Sequence, residues 1–252
     1  MSNFSNYSKY YDLLNKGKDY GAECDYIVEQ VQKYKPGSID FLELGCGSAE
    51  HAFHLSKKGY RITGIERSPG MIELARSKGI LNFEVTEGDA TNFSLNKQFD
   101  CCLSLFHVIS YITETQALMN CFKHVSSHLK PGGLFMFDIW YTLAVLSVKA
   151  ENRIRRFEND EVSIVRFAEP TLNTTKNIVD VQFELHIYDK ILNTREVITE
   201  VHPMRYFSIP EIEILASYNG FEMLSAEEYL TGNAVSSESW GVFFILKKKY
   251  DQ

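Results

Sequence analysis

The stretch Phe41-Leu42-Glu43-Leu44-Gly45-Cys46-Gly47-Ser48-Ala49 puts an acid near the end of an apolar run, then Gly-x-Gly, then small residues that open a helix. Glycines at these positions let the backbone turn sharply and approach a ligand closely. The free N–H groups of the helix that follows favour a carboxylate or phosphate. A dinucleotide turn needs a third glycine at position 50, where Glu50 stands, and Glu43 and Glu50 would repel a pyrophosphate. An acid ahead of the first glycine suits the ammonium of an amino acid instead. Glu66 ends the next apolar run, 23 residues after Glu43, where a carboxylate accepts both hydroxyls of a ribose. Glu87-Gly88-Asp89-Ala90 follows the third run, where a polar side chain meets an adenine amino group. In that order, these features describe a site for an adenosyl amino acid.

Groups able to move a proton come next, and histidine is the natural choice near neutral pH. His107 stands one residue past the fourth apolar run, Phe99 to Phe106, and is the first candidate for a base or an acceptor-positioning group. His202, in Glu200-Val201-His202-Pro203-Met204-Arg205-Tyr206, is the second. Asp138 ends the fifth run beside Trp140 and Tyr141, placed to bind acceptor hydroxyls or assist a base. His51 and His54 lie on the first helix after the glycine turn, and His51 reads as packing there. Tyr10, Tyr11 and Asn15 lie in an N-terminal segment whose rings could face a cation. Arg153, Arg155, Arg156 and Arg205 are candidates for a diphosphate.

These residues need a scaffold. Apolar positions from Asp19 to Lys35 fit a helix ended by Pro36-Gly37. Ile39–Leu44, Tyr60–Ile65, Asn82–Thr86, Phe99–Phe106 and Leu134–Ile139 read as strands. Between them lie helices at Ala49–Lys58, Gly70–Ser77 (with Ser68-Pro69 as cap and first turn) and Glu114–Leu129. Such alternation gives a doubly wound α/β sheet. The pattern then turns β-rich over Arg153–Ala168, Ile178–Tyr188 and Glu196–Phe207, an antiparallel meander. Helix returns at Pro210–Tyr218, and Phe221–Glu227 and Trp240–Lys247 close the main sheet. The expected architecture is a Rossmann-like seven-stranded sheet with an inserted meander. Its parts are an N-terminal helical segment (1–35), a lid by the family resemblance given below, a nucleoside-binding domain (36–140 and 208–252) and an inserted acceptor-binding subdomain (141–207).

Bulk properties limit the remaining readings. The 252 residues are 44% hydrophobic and 23% charged, which excludes wholesale disorder. A formal net charge of −7 disfavours coating nucleic acid. The longest apolar stretch, Leu134 to Val148, carries Asp138 and is too short for a bilayer. With no signal layout at the N-terminus, the expectation is a cytoplasmic protein with no membrane partner. Five cysteines without a C-x-x-C pair argue against a disulfide framework or a structural zinc, so no metal is expected.

The segments ELGCGSA, GIERSPGMIELAR, EGDATNF and LKPGGLF resemble the class I S-adenosylmethionine-dependent methyltransferases over roughly residues 40–140. YYDLLNKGKDYGAE, SLFHVISYI, FDIWYTLAVL and the meander ending EVHPMRYF extend the resemblance to bacterial sugar methyltransferases. These include N,N-dimethyltransferases of nucleotide-linked amino-deoxysugars and relatives from capsule or polysaccharide biosynthesis. The resemblance implies S-adenosyl-L-methionine as cofactor and S-adenosyl-L-homocysteine as product. Its cofactor contacts fall on Tyr11, Glu43, Gly45, Gly47, Glu66, Arg67, Met71, Asp89, Ala90 and Leu105. Its acceptor contacts fall on Asn15, Tyr111, Trp140, Tyr141 and Arg205, with His107, His202 and Asp138 as the catalytic set. The implied partner is a small nucleotide-linked sugar, with a second copy of the chain as another candidate. His107 stands where the amino-sugar enzymes carry a small side chain. That favours a sugar hydroxyl as acceptor, because an alcohol gains from a base. N-methylation of an amino-deoxysugar is the alternative. A non-catalytic S-adenosylmethionine-binding protein and a nicotinamide dehydrogenase are the competing classes.

Overall fold

The computed structural model describes residues 7–250. The first two helices are α1 (Tyr11–Leu14) and α2 (Tyr20–Tyr34), the latter capped by the Asp19 carboxylate, which accepts from the Ala22 N–H. Then β1 (Asp40–Leu44), α3 (Glu50–Lys57), β2 (Arg61–Glu66), α4 (Pro69–Ser77) and β3 (Phe83–Glu87) alternate. They lead into β4 (Phe99–Ser104), α5 (Thr115–His128) and β5 (Leu129–Tyr141). On α5 the fully buried Leu118, Cys121, Phe122 and Val125 recur at helical spacing and form the face that covers the sheet.

After α6 (Thr142–Ser147) come β6 (Arg153–Glu158), β7 (Val162–Asn173), β8 (Ile178–Asp189) and β9 (Thr194–Phe207). The chain closes with α7 (Ile209–Tyr218), β10 (Phe221–Glu228) and β11 (Gly241–Lys248). The β-rich stretch 153–168 forms a hairpin of β6 and the first half of β7. The Asn159 side chain accepts from the backbone N–H groups of Glu161 and Val162 and makes the turn.

Parallel pairing sets the order β3-β2-β1-β4-β5, and antiparallel β11 and β10 extend it beyond β5. The meander is not a separate layer. β9 runs parallel to the end of β5 through Trp140–Tyr206 and Tyr141–Phe207, so the continuous sheet has eleven strands rather than the expected seven. The two pairings join the sheets because Tyr206 and Phe207 are almost wholly buried, which anchors the end of β9 in apolar contacts.

The N-terminal segment divides at α2. α2 is a core helix, with Cys24, Ile27 and Val31 fully buried. Tyr10 and Leu14 pack instead on the meander residues Ile164, Leu185, Ile187 and Ile198. Residues 1–6 of the expected lid lie outside the described residues. No helix among the described residues is long and apolar enough to cross a membrane. All five cysteines are buried thiols.

Candidate active site

The turn after β1 is built on two left-handed glycines, Gly45 at φ 63° and Gly47 at φ 54°. At Gly45 a side chain is excluded on a second count: a Cβ would sit 2.8 Å from both Val108 methyls. At Gly47 a Cβ would meet nothing within 4 Å, so this backbone faces open space. Glu66, at the end of β2, closes the other side. Its Oε2 accepts from the Gly47 N–H at 3.0 Å, and its Oε1 accepts from Arg67 N–H at 2.9 Å and Ser68 N–H at 2.8 Å. Three backbone donors hold this carboxylate in one orientation before any ligand arrives. Asp89 is fixed in a similar way, its Oδ1 accepting from the Thr91 N–H and hydroxyl at 2.8 and 2.7 Å.

Behind the turn lies a buried chain of charges. Glu43 Oε1 is 3.3 Å from His51 Nδ1, and His51 Nε2 is 2.7 Å from Glu23 Oε2, which also pairs with Lys18. Burial would lower the His51 pKa, but the hydrogen bonds to Glu23 and Glu43 outweigh it and raise it above the ordinary imidazole value. Burial would raise Glu23, but the His51 ring and Lys18 hold it below the carboxylate range. Glu43 Oε2, fully buried, has no hydrogen-bond partner among the described residues.

The second set of groups follows β4. Phe106 and His107 are both left-handed, at φ 62° each. This uncommon pair turns the chain so that the His107 N–H faces Asp138, donating to both carboxylate oxygens at 3.1 and 3.2 Å. The ring returns to the same group, with Nδ1 2.6 Å from Oδ2 but short of linear alignment. Asp138 is fully buried on β5. Burial would raise its pKa, yet the His107 ring charge and the hydrogen bonds from His107 bring it below the usual value, so the carboxylate is ionised. A carboxylate beside Nδ1 favours the tautomer that carries its proton there.

A third polar group comes from the meander. His202, almost wholly buried, lies with Nδ1 2.9 Å from the Tyr111 hydroxyl and Nε2 3.1 Å from Glu200 Oε2. It meets the Phe183 ring edge-on at a centroid distance of 4.9 Å.

One cavity of about 970 Å³ connects these groups. Tyr11, Asn15, Gly45, Gly47, Glu66, Arg67, Met71, Asp89, Ala90 and Leu105 line it at the nucleoside end. His107, Tyr111, Trp140 and His202 line it further along. Glu43 and Asp138 stand behind the wall and act through His51 and His107. Two expected acceptor contacts are absent from the cavity. Tyr141 is buried in the core beneath the sheet. Arg205 instead ties β9 to its neighbours, donating to Thr113 O and Thr115 Oγ1 at 3.1 Å each and to Glu211 Oε1 at 2.7 Å. Arg205 is a one-residue phase error, since Met204 next to it lines the cavity, whereas of the adjacent pair Trp140 and Tyr141, both expected, only Trp140 does.

The sequence reading missed Phe106, Val181, Phe183 and Met204 as wall residues, and the charge chain through His51. Alternation along β8 marked Val181 and Phe183 as one face but not what that face covers. Arg153 and Arg155, together with Arg166, also line the cavity. No group of metal-ligating side chains occurs among the described residues.

The residues at the nucleoside end fit an adenosyl amino acid. The Gly47 backbone is open, Glu66 is oriented towards it, and a buried carboxylate oxygen of Glu43 lies unpaired behind the same turn.

Comparison with known proteins gives the same assignment. Residues 41–133 match the model of a methyltransferase domain. A dTDP-3-amino-3,4,6-trideoxy-alpha-D-glucopyranose N,N-dimethyltransferase of Streptomyces venezuelae is 32% identical over 133 residues, 52% of this chain and 56% of its own. The chain thus spans about half the length of that relative. A solved structure of an S-adenosylmethionine-dependent methyltransferase from Clostridium acetobutylicum ATCC 824 superposes with TM-score 0.81 at 23% identity, covering 99% of this chain and 100% of that one. The sugar N-methyltransferase KedS8 from Streptoalloteichus sp. ATCC 53650 gives TM-score 0.83 at 20% identity, covering 97% and 93%. At these identities the superpositions establish the shared fold. Residues 41–133 thus match a methyltransferase domain, and the whole chain shares the fold of S-adenosylmethionine-dependent methyltransferases.

Proposed function

We propose that the protein transfers a methyl group from S-adenosylmethionine to the amino group of a nucleotide-linked amino-sugar. The observation that carries this reading is the continuity of the cavity. The glycine turn with Glu66, His107, and the meander residues Arg153, Arg155 and Arg166 all line it. A cofactor and a phosphorylated acceptor therefore have one shared space, with an imidazole on its wall.

Bound at the glycine turn, the cofactor supplies an activated methyl on a sulfonium. Glu66 would accept the ribose hydroxyls, and Glu43, behind the wall, would bear on the amino-acid end through His51. Arg153 and Arg155 would hold the diphosphate of the acceptor. Trp140, Phe183 and Met204 enclose the sugar and exclude water. His107, oriented by Asp138, takes a proton from the acceptor nitrogen at Nε2, which frees a lone pair for in-line attack. Alignment of the two reactants supplies the larger share, on the order of 7–11 kcal/mol, and the base adds to it.

The hydroxyl acceptor expected from the presence of His107 yields here to the amine. An alkyl amine is largely an ammonium near neutrality, so it too must lose a proton before it attacks. The His107–Asp138 pair therefore serves either acceptor and does not discriminate. The relative of Streptomyces venezuelae, named for an amino-sugar, tips the choice.

The test is a screen of purified protein with S-adenosylmethionine against dTDP-linked amino-deoxysugars and their hydroxyl counterparts, read by mass spectrometry. A gain of one or two methyl groups on the amino-sugars alone is expected. Transfer to the hydroxyl sugars alone would return the assignment to O-methylation. Absence of transfer with cofactor binding intact would favour the binding-protein alternative.

A further inference from the structure

We propose that Lys18 is a positioning residue through which the N-terminal segment sets the His107 base, an inference that rests on the methyltransferase reading given above. Lys18 lies in the connection between α1 and α2, away from the glycine turn and the ends of β2 and β3. Its ammonium lies 4.3 Å from the centroid of the Phe106 ring and 4.5 Å from that of Tyr20. It also pairs with Glu23, and the Lys18 side chain is only 14% exposed. A lysine so enclosed by two rings and a carboxylate is held at one point, unlike the surface lysine Lys16 two residues before it.

What it holds is the backbone that presents the base. Phe106 and His107 are consecutive non-glycine residues in the left-handed region. Such a pair persists only where its surroundings over-determine it. From one side Asp138 accepts the His107 N–H. From the other, the Lys18 ammonium faces the Phe106 ring. Asp138 belongs to the sheet and is fixed by the fold, whereas Lys18 follows the segment that also provides Tyr11, Leu14 and Asn15 to the cavity wall.

The same lysine reaches the cofactor side. Its partner Glu23 is hydrogen-bonded to His51, and His51 contacts Glu43 behind the glycine turn. Lys18 thus stands where the base-bearing turn and the cofactor turn both meet the N-terminal segment.

The test reads His107 directly and needs no turnover, so it stands apart from the choice of acceptor. Diethyl pyrocarbonate modification of His107 is followed by mass spectrometry in the wild type, Lys18→Met, Phe106→Leu and the double variant, with Lys16→Met as control. Lys18→Met keeps the apolar stem and removes the charge. His107, 22% exposed in its docked position, should react about fivefold faster in Lys18→Met, the factor a cation–π contact of ordinary strength represents. Phe106→Leu should reproduce the increase, and the double variant should add nothing, because both remove one contact. His186, on the meander, should keep its rate throughout. With an accepted substrate, Lys18→Met should lower kcat about as much while S-adenosylhomocysteine affinity stays within about threefold. An unchanged His107 rate in Lys18→Met, additive effects in the double variant, or equal acceleration at His186 would each overturn the proposal.

Discussion

Replacing Asp138 by Asn removes a charge and little else, since the two side chains have the same shape. In the native chain this carboxylate is fully buried, accepts the His107 N–H at 3.1 and 3.2 Å, and lies 2.6 Å from Nδ1. An amide oxygen still accepts the backbone N–H, so the left-handed turn survives. The loss falls on the ring. When His107 takes a proton from the acceptor it becomes a cation, and only the carboxylate offers it a charge-assisted contact of about 1.5–3 kcal/mol. At 1.36 kcal/mol per factor of ten, the chemical step should slow by roughly 10- to 150-fold. The amide can also turn its NH2 to Nδ1 and impose the wrong tautomer, which pushes the loss towards the upper figure. The assay is single-turnover formation of S-adenosylhomocysteine with saturating acceptor, with cofactor affinity measured separately by calorimetry. Cofactor affinity should change little, because Asp138 stands behind His107 and not on the cavity wall. A single-turnover rate within a factor of about two of wild type would refute the argument that His107 acts as a base oriented by this carboxylate.

Three further outcomes follow from the geometry. Glu66→Gln should weaken S-adenosylmethionine binding by at least about tenfold in calorimetry, since it removes the charged acceptor for the ribose and turns an NH2 onto one of the backbone donors now satisfied. Gly45→Ala should lower both melting temperature and turnover, because φ 63° is strained for alanine and its Cβ would press on Val108, the neighbour of His107. A Gly45→Ala protein with unchanged melting and kcat would show that this turn has room to relax. His51 has a raised pKa in the folded chain, so it contributes stability that is fully present below its unfolded value of about 6.5 and is lost as pH rises through the higher folded value. Thermal melts from slightly acidic to alkaline pH should show that loss in the wild type and not in His51→Gln. Glu23 and Asp138, both lowered, act at the other end: their stability is present above the ordinary carboxylate range and lost as pH falls through their folded values.

The sequence by itself determined the cofactor half of this protein. An acid, two glycines and a helix start lie within nine residues, 41 to 49, and Glu66 and Asp89 each end a run that reads as a strand. Chemistry carried on consecutive strand ends is local: once the strands are parallel and the crossovers right-handed, their carboxyl ends share one edge. His107 and Asp138 were legible for the same reason, as the ends of the fourth and fifth runs. Their pairing was not, because it depends on two successive left-handed residues that Phe and His do not announce.

Only the tertiary structure decided the acceptor half. Alternation along β8 and β9 separates the faces of the meander, but which face meets the cavity depends on β9 joining β5 through Tyr206 and Phe207, contacts some sixty-six residues apart in the chain. A shift of one residue exchanges the faces, which is why Arg205 looked like an acceptor contact while Met204 lines the cavity, and why Trp140 lines it but the neighbouring Tyr141 does not. The charge chain Lys18–Glu23–His51–Glu43 was hidden for the same physical reason. Its members come from a connecting loop, two helices and a strand, and charges far apart in sequence become partners only when packing removes them together from water.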